Sequence, residues 1–161
     1  MIPEKTSYRF AGEIPPDQWV RRWPHVRFDQ LMDGDRIAHM DLDTMNLFER
    51  MCRAAQERRG WLHRVNSSYR EGDSGQHGSG RALDVVFYMH VPGDIDVMEQ
   101  LVFALRFHWG GIGFYPYWNA PGIHIDTRND NNKMREIWWR DEAGTYHPGD
   151  MFAHALTGEW V

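Results

Sequence analysis

The stretch Ala82-Leu83-Asp84-Val85-Val86-Phe87-Tyr88 is an apolar run interrupted by a single charge, Asp84. Its length and its β-branched and aromatic content predict a buried strand. An ionised carboxylate in such a strand is costly unless it is paired or bound to a metal. Just before the run lies the glycine-rich Gly75-Gln76-His77-Gly78-Ser79-Gly80, and further along Gly122-Ile123-His124-Ile125-Asp126 again sets polar side chains into a short apolar strand. His77, Asp84 and His124 together form a His, Asp, His set. Three such ligands can hold a zinc ion with one coordination position open, which is the arrangement of a hydrolytic zinc site rather than a closed structural one.

Helical and strand patterns flank this centre. Met45, Phe48, Met51, Cys52 and Ala55 recur at helical spacing, predicting a helix from about Asp43, capped by Asp43 or Thr44 and stopped by Gly60. Trp61 to Tyr69 reads as a strand, followed by a Gly/Ser-rich loop through Gly80. Pro92-Gly93-Asp94 starts a second helix, with Ile95, Met98, Leu101, Val102 and Leu105 as its buried stripe and Gly110-Gly111 as its end. Strands are expected at 112–117, 122–127 and 136–140, with turns at 129–132 and 142–144. The pattern predicts one α+β domain in which helices pack on an antiparallel sheet. Residues 1–40, with Pro15-Pro16 and Pro24, read as an irregular arm that wraps Trp19, Trp23 and Phe28 onto the domain at 41–161.

At 161 residues the chain is long enough to bury a real core, and 42% hydrophobic with 25% charged residues is ordinary for a soluble globular protein. The net charge of −5 argues against nucleic acid or an anionic membrane as the main partner. Arg58-Arg59, with Arg53 nearby, reads as a solvated helix end. Cys52 is the only cysteine, so no intrachain disulfide can form, and it reads as a small buried hydrophobe. The N-terminal sequence MIPEKTSYRF has no apolar core of a secretory signal, and no run reaches the length of a membrane span.

The candidate ligands differ from the other histidines in context. His77 lies where Gly78 and Gly80 leave room for the backbone to bring its ring over the Asp84 strand. His124 and Asp126 are two apart on a strand and therefore share a face. Asp126 can then act as general base or orient His124 from behind. His25, His39, His63, His90, His108, His147 and His154 have no comparable setting and read as structural.

The block H-x-x-G-x-A-x-D followed by a short H-x-D strand resembles the zinc peptidases of the D-alanyl-D-alanine carboxypeptidase and hedgehog-like group, most closely the small phage and bacterial murein peptidases. Ser67-Ser68-Tyr69-Arg70, His77 to Asp84, Gly111 to Tyr115, Gly122 to Arg128, and Trp138-Trp139 carry the likeness in order, over roughly residues 45–140. The resemblance implies a hedgehog-like, D-Ala-D-Ala-peptidase-like fold, with Zn2+ on His77, Asp84 and His124. It further implies Arg70 near the substrate or the developing oxyanion, and a peptidoglycan peptide as substrate.

Two positions depart from the family pattern: Gly75 stands where a serine is common, and Pro121 where many members carry a catalytic glutamate. Asp126 is the nearest replacement, so the expected catalytic pair is Asp126 and Arg70. Tyr115, Tyr117 and Trp118 are expected either to line a peptide groove or to cover the sheet edge. The alternative function is a zinc-stabilised module, such as a phage structural component, that binds wall peptide without cutting it. With no secretory signal, a wall substrate fits a phage or prophage lysis protein, cytoplasmic until released.

Overall fold

The computed structural model describes residues 8–28, 34–90, 95–128 and 135–149. The N-terminal arm is more regular than its prolines suggest. Pro16 opens α1 (Pro16–Arg22), because proline at the first helical position sacrifices no hydrogen bond. Trp19 Nε1 donates to the carbonyls of Ala11 and Ile14, both at 3.0 Å, folding a 3-10 turn (Ala11–Glu13) against the helix. Trp23 is fully buried and donates to Asn46 Oδ1 at 3.0 Å, which pins the arm to the body of the protein. Phe28 packs beside both indoles, as expected. A short α2 (Gly34–Ala38) leads into α3 (Leu42–Arg59).

The cap of α3 is Asp41 rather than Asp43 or Thr44. Its extended backbone lets the carboxylate accept from Asp43 N and Thr44 N, at 3.1 and 3.2 Å. Gly60, with φ +66°, ends the helix as expected. Strands β1 (Trp61–Ser67) and β2 (Ala82–Met89) follow, then α4 (Val97–Ala104), β3 (Gly111–Tyr115), β4 (Gly122–Asp126), β5 (Glu136–Arg140) and β6 (Tyr146–Pro148). The expected turn at 129–132 and the Pro92-Gly93-Asp94 start lie outside the described residues.

Helix α4 is shorter and rotated relative to the predicted stripe. Asp96 caps it, Val102 is exposed, and Gln100, Leu101, Phe103 and Ala104 are buried. Gln100 tolerates burial because its amide spans the gap to the sheet: Oε1 accepts from Phe87 N and Nε2 donates to Ile95 O. Gly110-Gly111 is not the stop. Past Ala104 the Arg135 guanidinium donates to the carbonyls of Leu105, Phe107 and Trp109, satisfying chain that has left the helix, and Gly111 already opens β3.

Among the described residues six strands form one sheet in the order β1-β2-β4-β3-β5-β6. The protein is α+β, and the sheet is antiparallel as expected at every contact except one. Strand β5 pairs with β3 in parallel, because β5 runs counter to β4 on the far side of β3. One apolar cluster joins the arm, α3, α4 and the sheet side carrying Leu83, Val85, Ile112, Phe114, Ile123 and Ile125, and Cys52 lies buried within it. No helix among the described residues is long and apolar enough to cross a membrane.

Candidate metal centre

The opposite side of the sheet is built on a single row. Pairing places Ser67, Asp84, His124, Gly113, Trp138 and Pro148 side by side, one from each strand. The neighbouring row holds Ala82, Asp126, Gly111 and Glu136. The two-residue period of the strand puts His124 and Asp126 on the same side, as the sequence predicts. Gly111 and Gly113 are required by this surface. A Cβ at Gly113 would lie 2.6 Å from Trp138 Nε1, and one at Gly111 would lie 2.5 Å from Asp126 Oδ2. The missing side chains let the indole and the carboxylate lie flat on β3.

His77 arrives from the loop between β1 and β2. Arg70 N donates to His77 O, closing the loop, and at Gly78 a Cβ would meet Asp73 O at 1.7 Å, so only glycine allows the turn. This bears out the expectation that glycine brings His77 over the strand. The His77 Nδ1–H donates to Ser68 O at 2.6 Å. A carbonyl can only accept, so Nδ1 carries a proton and Nε2 is the nitrogen that faces the site. On His124, Nε2 lies 3.0 Å from Asp126 Oδ2. A carboxylate also only accepts, so Nε2 carries the proton there and Nδ1 faces inward.

His77 Nε2, His124 Nδ1 and Asp84 Oδ1 therefore converge, at 3.3 Å between the two nitrogens and 3.3 and 2.9 Å from each to the oxygen. All three residues are buried, and the group could hold a metal ion. A tetrahedral ion with nitrogen and oxygen ligands separates its donors by about 3.3 Å, close to this triangle.

Electrostatics agree with the geometry. Burial alone would push the Asp84 carboxyl up, but hydrogen bonds from His124 and His77 outweigh it and hold the group well below the usual carboxylate range. Burial likewise opposes charge on His124, yet hydrogen bonds to Asp126 and Asp84 raise it above an ordinary histidine. Without a metal, the site is poised to keep a proton between its ligands.

Arg70 reaches the site through its ligand. Its NH2 donates to Asp84 Oδ2 at 2.7 Å and its Nε donates to Ser67 Oγ at 2.7 Å, so it braces the carboxylate that presents Oδ1. Asp126 sits elsewhere than a general base would. It is fully buried, lies behind His124 on the ring edge away from the three ligand atoms, and accepts from Arg128 Nε and NH2. Despite burial, the His124 and Arg128 hydrogen bonds hold its carboxyl down at about 2.

The triad opens into a groove of about 1080 Å3. Trp138 forms one wall, with its ring 5.2 Å from that of His124 and its face under the Arg128 guanidinium. Its Nε1 donates to the Tyr115 hydroxyl, and Tyr115 stacks on Trp118 at 4.0 Å. Burial pushes the Tyr115 phenol far up, so it keeps its proton. Tyr115 and Trp118 line the groove, while Tyr117 lines only a small neighbouring depression.

Sequence reasoning did not single out Arg128, Glu136, Arg140 and Tyr146, which also line the groove. The only sequence signal for them is strand alternation from Trp138, which puts Glu136 and Arg140 on its side. Of the other histidines, His25 pairs with Glu49, His63 accepts from Arg27 N and His147 pairs with Asp141, while His154 lies outside the described residues. No family model, no curated protein and no solved structure matches this chain.

Proposed function

We propose that the protein is a zinc-dependent peptidase acting on bacterial peptidoglycan, as a D-Ala-D-Ala carboxypeptidase or a murein endopeptidase. The observation that carries this reading is the convergence of His77 Nε2, His124 Nδ1 and Asp84 Oδ1 at the head of an aromatic-walled groove, each ring locked from behind by an acceptor. Two nitrogens and one carboxylate oxygen suit zinc, and the groove side is open to a further ligand. A zinc ion held there supplies Lewis acidity toward a carbonyl and a nucleophilic water at neutral pH.

The chain's own residues then divide the remaining work. Ser68 O and Asp126 fix the ring tautomers, and Arg70 fixes Asp84. Tyr115 keeps a neutral hydroxyl beside the groove as a hydrogen-bond donor. Arg140 donates to Gly144 O and lies over the Tyr146 ring, with no carboxylate partner among the described residues. Its planar fork suits a substrate carboxylate, which a wall peptide carries. The groove carboxylates that are not ligands are Asp73 and Glu136. We take these two, rather than Asp126 behind His124, as the candidates for proton transfer; Asp73 lies 3.6 Å from Arg70 NH1 and Glu136 accepts from Arg128 NH1. Asp73→Asn and Glu136→Gln, assayed separately, identify which one acts.

One observation favours a second reading, a zinc-stabilised module that binds wall peptide without cleaving it: the acid of the H-x-D motif faces away from the ligand triangle. Zinc content measured by mass spectrometry, followed by digestion of purified peptidoglycan, separates the two. Near-stoichiometric zinc with cleavage that is lost to chelator and regained with zinc supports the peptidase. Zinc without cleavage supports the binding module, and a protein that cannot be loaded with zinc sinks both.

A further inference from the structure

A second recess lies on the helix layer, with the sheet between it and the metal groove. Arg50, Arg53 and Arg58, three and five residues apart along α3, all line this recess. Arg106 and His108, from the segment after α4, close the far side of a cleft of about 430 Å3, and Arg59 stands at its end. Five arginines line it against one carboxylate, Glu57, which faces His25 Nε2 at 3.8 Å. Arg59 is paired with Glu99. Arg50, Arg53, Arg58 and Arg106 are exposed and have no carboxylate partner among the described residues.

Arg50 and Arg53, three residues apart, repel each other in the free protein. With the chain at a net charge of −5, the cleft is locally opposite in sign to the protein as a whole. The linear sequence shows Arg53, Arg58 and Arg59 as a helix end; only the fold brings Arg106 against them. An anion with repeating charge relieves the repulsion. Guanidinium forks match phosphate, and Arg50 to Arg58 spans about 12 Å at the helical rise, room for more than one phosphate.

The apolar lining residues Leu47 and Phe103 are buried as a floor and do not protrude, which disfavours insertion into a lipid surface. The lining offers no exposed Phe, Tyr or Trp platform on which bases could stack: Phe103 is buried, Phe107 is half-buried, and His108 supplies the one exposed ring.

We propose that this cleft binds a phosphodiester-linked polyol polymer, with the Arg50, Arg53, Arg58 and Arg106 guanidinium groups taking its phosphates. The site is independent of the metal centre. The test is fluorescence anisotropy of a labelled glycerol phosphate oligomer titrated with the full chain at 50 and 200 mM salt. Saturable binding is expected, weakening roughly tenfold or more between the two salt concentrations as counterion release requires.

The combined variant Arg50→Gln, Arg53→Gln, Arg58→Gln, Arg106→Gln should weaken binding at least about tenfold. A control carrying Arg21→Gln and Arg22→Gln on α1 should bind as wild type, and so should His77→Ala, which separates this site from the metal reading. If the combined variant fails to fold, Arg53→Gln and Arg106→Gln alone should each weaken binding measurably. Absence of saturable binding at 50 mM salt, or equal binding by a folded combined variant, overturns the proposal. So does tighter binding of an oligothymidylate of equal charge, or binding to anionic phospholipid vesicles but not to the oligomer.

Discussion

Strands β2 and β4 present two faces that are equally shut off from water and chemically opposite. On one, Leu83, Val85, Ile123 and Ile125 are all fully buried against the helices. On the other, Asp84 and His124 are 6% and 7% exposed and Asp126 is not exposed at all. Burial therefore does not distinguish core from site. Partnering does. The apolar face needs only shape and volume, whereas each polar group on the other face is held by a specific donor or acceptor, down to the tautomer of each ring. Removing an apolar group should cost stability and leave metal binding intact, whereas removing a polar one should act first on metal binding.

The largest effect expected on the polar face comes from Asp84→Ala, which removes one of the three candidate ligands and leaves Arg70 without its carboxylate. Bound zinc should fall from near-stoichiometric to none by mass spectrometry of the purified protein; retained zinc would break the contrast between the faces. Its counterpart is Leu83→Ala, one residue away. Chemical denaturation should show a loss of about 2–5 kcal/mol while zinc content is unchanged.

Asp126→Asn sharpens the comparison, because it alters a residue that touches no ligand atom facing the groove. Competition with a chromophoric chelator should show zinc affinity weakened about 10–100-fold at unchanged stoichiometry. A steep loss of turnover with zinc affinity intact would instead make Asp126 the proton acceptor. The same variant carries a pH signature in the metal-free protein. The Asp126 carboxyl sits at about 2 when folded against 3.8 as its ordinary value. Its contribution is thus present above the ordinary value and lost as pH falls toward the folded one, by on the order of 2 kcal/mol. Urea denaturation of wild type should weaken between these pH values more steeply than that of Asp126→Asn.

The smallest effect is predicted for Gly113→Ala. Its new methyl group would press on the Trp138 indole, costing about 1–3 kcal/mol and shifting tryptophan fluorescence as the ring is displaced. Unchanged fluorescence would mean that Gly113 is not what lets the indole lie against β3.

Much of this was legible in local pattern. The buried acid of Ala82–Tyr88 announced a partnered carboxylate, and the glycines around His77 announced a tight approach. The two-residue spacing of His124 and Asp126 announced a shared face, because strand periodicity is a local property. The stop of α3 at Gly60 was equally local. What failed was whatever depended on distant chain. Asp41 rather than Asp43 caps α3, Val102 faces out because α4 docks through Gln100 and Phe103, and β5 joins in parallel. Arg135, distant in sequence, satisfies the carbonyls beyond α4.

The site divides the same way. The residue types of a metal centre stand in the sequence, since carboxylate and imidazole have few other reasons to sit among valines and isoleucines. What each of them faces was set by tertiary structure alone. Which imidazole nitrogen faces inward depends on Ser68 O and Asp126, and whether Asp126 meets substrate depends on which edge of the ring it lies behind. Whether scattered arginines become a cleft depends on how α3 lies against the turn after α4. The sequence by itself determined which groups the protein carries and how they alternate along each element. The fold decided what each group faces, because hydrogen bonds and charges act over a few ångströms and only packing brings distant segments that close.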